Sequence, residues 1–312
     1  MHEVYAGFLS HTDAQIGRLV DALERIGVLD NTLIFLVSDN GASAEGGVTG
    51  TVNEHRFTHQ VRDELADNLE RLDDWGGTGT YPHYAWGWAW AGNTPFRLWK
   101  RYTWLGGTRV PFIAHWPKRI RDGGGIRGQF AHAIDVLPTV LDACGVSVPE
   151  SVDGVTQSPL QGASLLSTFA DPAAPNPRSV QYFEMLGSRA IFADGWKATT
   201  DHVSAGVMDE DLLLTGSRDF DDDRWSLFRL DEDFSESRDV ASEHPDVLEH
   251  LKRLWSVEAE ANNVLPLADS LIGRLVAAVP PRYPVGQSVT LYPQGGPVSD
   301  EALPLLAGGG RI

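Results

Sequence analysis

One short run, Thr32-Leu33-Ile34-Phe35-Leu36-Val37, constrains this chain more than any other segment. It is almost continuously apolar and β-branched at several positions. That pattern predicts a buried strand of the parallel kind, covered on both faces. Before it, Val4, Phe8, Ile16, Leu19, Val20, Leu23 and Ile26 mark one face of a helix, and Gly27 is placed to close it. After it the chain breaks at Ser38-Asp39-Asn40-Gly41. A helix feeding a buried strand is an α/β signature. The expected fold is therefore α/β, with a partial mixed or parallel sheet flanked by helices.

Residues 42–95 carry no sustained apolar period but are rich in Gly, Trp and Tyr. A segment this long inside a domain is usually functional or disordered, and the aromatic run Tyr81–Trp88 argues for order. Val110–Trp116 reads as a second buried strand, with Pro111 at an edge or at its start. Asp135 is placed to cap a helix through Ala143, closed by Gly145. Pro149, Pro159, Pro172, Pro175 and Pro177 punctuate a linker. Beyond it, Gln181–Met185, Arg189–Phe192, Trp196–Thr199 and Ser226–Leu230 read as short strands of a small antiparallel sheet. Pro245 opens a helix with Val247, Leu248, Leu251, Leu254 and Trp255 on one face. The expected division is residues 1–172, a smaller unit 173–279 and a loose Gly/Pro-rich tail 280–312.

The net charge of −18 repels nucleic acid and anionic membranes, so neither is an expected partner. An anionic substrate needs a local positive site against that field. One cysteine, Cys144, excludes an intrachain disulfide and reads as a buried core residue. No signal peptide opens the chain, which favours the cytoplasm as an expectation.

Asp39-Asn40 is the strongest local chemical signal. Ligands of α/β sheets gather beyond the carboxyl ends of strands. A carboxylate beside an amide carbonyl offers hard oxygen donors suited to Ca²⁺ or Mg²⁺. The competing reading is a tight Asn-Gly turn, which the sequel Ala42–Gly47 weakens because it starts no partnering strand. The run Asp30–Gly41 is followed in order by Ala91–Arg97, Lys100, Gly106-Gly107-Thr108-Arg109-Val110-Pro111, His115-Trp116-Pro117, Asp135–Thr139, Asp153-Gly154-Val155, Gly195-Trp196-Lys197, Leu227–Leu230 and Asn262–Pro266. Over about residues 1–270 this train resembles the C-terminal half of sulfatases of the arylsulfatase type, in the alkaline phosphatase superfamily.

The resemblance implies that Asp39 and Asn40 are two ligands of a Ca²⁺ ion, and that Lys100 contacts the sulfate group of the substrate. A fixed ammonium beside a metal would stabilise charge building on the departing oxygen. His83, in the aromatic loop, is a further candidate for lining the substrate pocket. The implied substrate is a small-molecule sulfate ester, and Trp86, Trp88 and Trp90 are compatible with an aryl one. The family nucleophile is a formylglycine made from the cysteine or serine of a Cys/Ser-x-Pro-x-Arg motif, and no such motif occurs in these 312 residues. Leu105 stands where the family often has Glu before Gly-Gly. Three readings follow: a sulfuric ester hydrolase, an inactive fragment or one part of a split sulfatase completed by a separate N-terminal half, and a phosphatase or phosphodiesterase of the same superfamily. Asn40 disfavours the last, because a two-zinc site wants imidazole there. His55 and His59, spaced for zinc, lack an evident third ligand. Asp231–Glu236 resembles a calcium loop but fails the EF-hand pattern, and Asp219–Asp223 reads as a solvated loop.

Overall fold

A computed structural model describes residues 1–58, 61, 63–202, 216 and 220–270. His59, Asp219 and the expected tail from Pro280 onward lie outside the described residues. The helices are α1 (His2–Arg25), α2 (His55–Thr58), α3 (Leu65–Glu70), α4 (Trp86–Asn93), α5 (Leu105–Thr108), α6 (Val136–Cys144), α7 (Leu166–Ala170) and α8 (Pro245–Ala261). The strands are β1 (Ile34–Val37), β2 (Phe112–His115), β3 (Ser151–Val152), β4 (Val155–Thr156), β5 (Val180–Met185), β6 (Ser188–Ala193), β7 (Trp196–Thr200) and β8 (Trp225–Arg229). The chain is α/β, as its sequence predicts. Among the described residues no helix is long and apolar enough to cross a membrane.

The helix Val4–Ile26 forms as α1, and Gly27, at φ 72°, ends it by donating to the Glu24 carbonyl at 2.8 Å. The strand that follows differs from its reading. β1 pairs with β2 antiparallel, Ile34 opposite His115 and Val37 opposite Phe112. It is not covered on both faces either: Leu36, Val37 and Ile113 are exposed. α1 buries none of its residues, and Leu137 and Val140 of α6 are also exposed. Described elements cover these faces only in part: Phe35 of β1 meets Phe169 of α7, and Tyr5 of α1 meets Tyr84, while Leu36, Val37, Ile113, Leu137 and Val140 stay exposed.

The C-terminal sheet is an antiparallel meander in the order β5-β6-β7-β8. Alternation along β8 explains its stability. Leu227 enters a core with Ile191, Ala198, Leu251, Trp255 and Ala259, through which α8 packs on the sheet. Phe228, one residue on, faces the other way into an aromatic block of Trp86, Leu98, Trp99, Tyr102 and Trp104. Each such buried side chain contributes ~1.5–3 kcal/mol. The linker region holds more structure than its prolines suggest, namely the β3–β4 hairpin and α7, which contacts α6.

Three further expectations are corrected. Asp135 sits at the N-cap of α6 but makes no cap bond there. Its fully buried carboxylate instead accepts from the amides of His132 and Ala163, each at 2.8 Å, and pairs with Arg178. Cys144, the last residue of α6, is exposed. Asp221 and Asp222 are exposed, as expected of a solvated loop, but the Asp223 side chain is buried between His202 and Arg189.

Candidate active site

The end of β1 is held by a shelf of backbone. Gly41 N donates to the Gly107 carbonyl at 3.1 Å, and Lys100 N donates to the Ala42 carbonyl at 2.9 Å. Asn93, at the end of α4, clamps the same region. Its Oδ1 accepts from Ala42 N at 3.1 Å, and its Nδ2 donates to the Leu98 and Gly106 carbonyls, each at 2.8 Å. Gly41 is glycine for a steric reason: a Cβ there would lie 1.7 Å from the Gly106 carbonyl oxygen. Leu98 and Arg101, on either side of Lys100, both hold positive φ, at 61° and 90°. Such backbone strain gathers at functional sites, and it fixes how Lys100 leaves the main chain.

Lys100 and Asn40 line one cavity of about 700 Å³, which Tyr182 and Phe183 of β5 and Glu258 of α8 also line. Asp39 is exposed, with its carboxyl held below the usual range. The largest cause is a hydrogen bond from the Asn40 side chain, followed by its own backbone amide, and the Lys100 charge adds to it. Asp39, Asn40 and Lys100 therefore form one electrostatic group.

Glu45, which carried no signal in the sequence, joins this group to His83. Its Oε1 lies 2.7 Å from Lys100 Nζ, and its Oε2 lies 3.5 Å from His83 Nε2. The His83 Nδ1 faces the Tyr84 carbonyl at 3.3 Å, so Nδ1 donates, and in the neutral ring Nε2 accepts from Ser43 Oγ at 3.0 Å. Glu45 lines the cavity and His83 does not, so His83 meets it through Glu45. The Tyr84 hydroxyl beside them is pushed up to about 12, by burial first and then by Tyr5 and Glu45. Two peptide segments fix this group: Trp86 Nε1 donates to the Ala44 carbonyl at 2.8 Å, and Trp86 N to the Gly47 carbonyl at 3.0 Å.

A buried ion pair supports the shelf from the C-terminal sheet. Glu236 Oε2 accepts from Leu105 N at 2.7 Å, while Oε1 accepts from Lys197 Nζ at 2.5 Å. The two side chains are 1% and 0% exposed. The Asp231–Glu236 loop, no calcium loop, thus ends in a carboxylate that holds α5 in place.

The oxygens of Asp39 and Asn40 fit a hard divalent cation in type and charge. They would supply two of the six to eight oxygens that Ca²⁺ takes. Among the described residues no group of three or more His, Cys, Asp or Glu comes together to hold a metal.

A family model described as Sulfatase matches residues 1–146, and one described as N-sulphoglucosamine sulphohydrolase, C-terminal, matches residues 96–260. An uncharacterized sulfatase of Schizosaccharomyces pombe is 29% identical over 285 residues, covering 89% of this chain and 47% of that protein. Arylsulfatase A of Homo sapiens is 24% identical over 284 residues, covering 85% and 45%. The crystal structure of Ps i-CgsB shares the fold at a TM-score of 0.55 and 23% identity, over 88% of this chain and 47% of that one. The chain spans about half the length of these curated relatives. Two matched domains in sequence, a shared fold and an ordered motif train agree: the chain belongs to the sulfatase family.

Proposed function

We propose that this chain supplies part of the active site of a sulfuric ester hydrolase of the arylsulfatase type. Asp39 and Asn40 are two ligands of a Ca²⁺ ion, Lys100 contacts the sulfate group, and His83 assists through Glu45. The observation that carries this reading is the convergence of Asn40 and Lys100 on one cavity at the carboxyl end of β1. When bound, the metal supplies Lewis-acid stabilisation of charge on sulfate oxygens. The chain's own part is to hold Lys100 rigidly against the cavity and to keep Asp39 ionised beside it.

The nucleophile is a formylglycine that belongs to a polypeptide segment carrying the Cys/Ser-x-Pro-x-Arg motif, absent from these residues. The apolar surfaces of α1, β1, β2 and α6 suit cover by that segment. In this arrangement residues 1–172 belong to the catalytic unit and 173–279 form the supporting subdomain. The substrate is a small sulfate ester, and the aromatic block at Trp86 and Trp99 suits an aryl group.

The test joins the 312-residue chain to a partner segment bearing the motif, matured to formylglycine. Turnover of an aryl sulfate should then appear, with none above background from the chain alone. Lys100→Ala should lower kcat by roughly 10²–10³-fold, as for removal of one charge-stabilising donor. Full kcat in Lys100→Ala would refute the assignment, and turnover by the chain alone would refute the need for a second segment.

A further inference from the structure

Glu45 is the residue on which the two basic side chains of the site converge, and its placement does not depend on them. Trp86 Nε1 holds the Ala44 carbonyl on one side. On the other, Gly46 sits so close that a Cβ would lie 2.5 Å from the Tyr84 carbonyl oxygen and 2.7 Å from that of His83. The loop backbone therefore delivers the carboxylate to Lys100, with Oε1 2.7 Å from Nζ. Oε2 is shut off from solvent and makes no hydrogen bond; it faces His83 Nε2 at 3.5 Å, beside Ser43.

A carboxylate oxygen at 2.7 Å from an ammonium has the charge and the hydrogen-bonding geometry of a sulfate oxygen. Both Glu45 and Lys100 line the cavity, and the pair is part-exposed, 30% and 43% by side chain. An oxyanion approaching Nζ therefore meets a cation already neutralised, within a chain whose net charge is −18. Resting on the reading of Lys100 as the sulfate contact, we propose that Glu45 sets the affinity of that contact. Its carboxylate competes with the sulfate group for Lys100 Nζ.

Glu45 is on this account a specificity-determining residue. A sulfate ester whose organic part fills the cavity has further contacts to drive the exchange. Inorganic sulfate, the product of ester hydrolysis, lacks the contacts of the organic part and is held more weakly, so it leaves. The competition has a definite sign, opposite to that of a residue that merely positions Lys100.

The test titrates the 312-residue chain with inorganic sulfate at constant ionic strength, following the backbone amides of Ala42, Glu45 and Lys100 by NMR. Glu45→Gln keeps the size and removes the charge, and it should tighten sulfate binding roughly fivefold, the upper range for a part-exposed charge pair. Glu45→Asp keeps the charge on a shorter arm and should tighten it less. Lys100→Met should abolish the response in either background. Weaker or unchanged binding in Glu45→Gln overturns this proposal alone and makes Glu45 a support for Lys100. No sulfate response in wild type, Glu45→Gln and Glu45→Asp alike overturns the sulfate-contact reading of Lys100 as well.

Discussion

Gly41 and Lys197 show how single positions hold the site. At Gly41 the constraint is space, since the Gly106 carbonyl occupies the volume a side chain would need. Gly41→Ala should push the end of β1 off the shelf, destabilise the chain by on the order of 2–3 kcal/mol and remove any Ca²⁺ response of the Asn40 amide in an NMR titration. At Lys197 the constraint is charge. Burial pushes its ammonium below the usual lysine range, against the pull of Glu236. Removing one member of a buried pair leaves an uncompensated charge, so Lys197→Met should cost about 3–5 kcal/mol in urea unfolding. Lys197→Met combined with Glu236→Gln should cost less than the single change, because the glutamine still accepts from Leu105 N without a charge to solvate. A double mutant as unstable as Lys197→Met would mean that packing, not charge, sets the penalty.

Elements meet at His202, which follows β7 and is fully buried. Its Nδ1 lies 2.9 Å from Asp223, ahead of β8, and its Nε2 lies 3.0 Å from Asp269, beyond α8. Phe220 stacks on the ring at 4.2 Å, and Arg189 pairs with Asp223 at 2.6 Å. Burial pushes the imidazole down, but the hydrogen bonds and charges of Asp223 and Asp269 outweigh it and raise its pKa. A raised folded pKa contributes stability that is fully present below the unfolded value of about 6.5 and lost as pH rises through the folded one. Denaturant stability should accordingly fall as pH rises above about 6.5 in the wild-type chain. His202→Gln should lower stability at pH 6 and flatten that slope; an unchanged slope would place the titration elsewhere.

Across the whole molecule, cover is unequal. The β5–β8 sheet lies between α8 and the aromatic block, whereas β1 and β2 keep apolar side chains in solvent. Local opening follows burial. Amides of Leu33–Val37 should exchange with solvent faster than those of Gln181–Met185, and equal protection would contradict the reading that the first sheet lacks its neighbours.

Periodicity and turn chemistry alone determined α1, the four short strands of the C-terminal sheet and α8 with its proline start, because each is a local pattern of apolar spacing and breakers. The ordered train from Asp30–Gly41 to Asn262–Pro266 likewise gave the family from the sequence, with Asp39, Asn40 and Lys100 as candidates, and the aromatic loop added the candidate His83. Strand direction was not local: the apolar run at 32–37 reads the same whether its neighbour is parallel or antiparallel, and only the β2 pairing decided it. Burial was not local either, so Cys144 fell outside and Asp223 inside. Glu45 and Glu236 look in sequence like any solvated glutamate. Their partners lie 55 residues on, at Lys100, and 39 residues back, at Lys197, and chain folding alone brings those charges together.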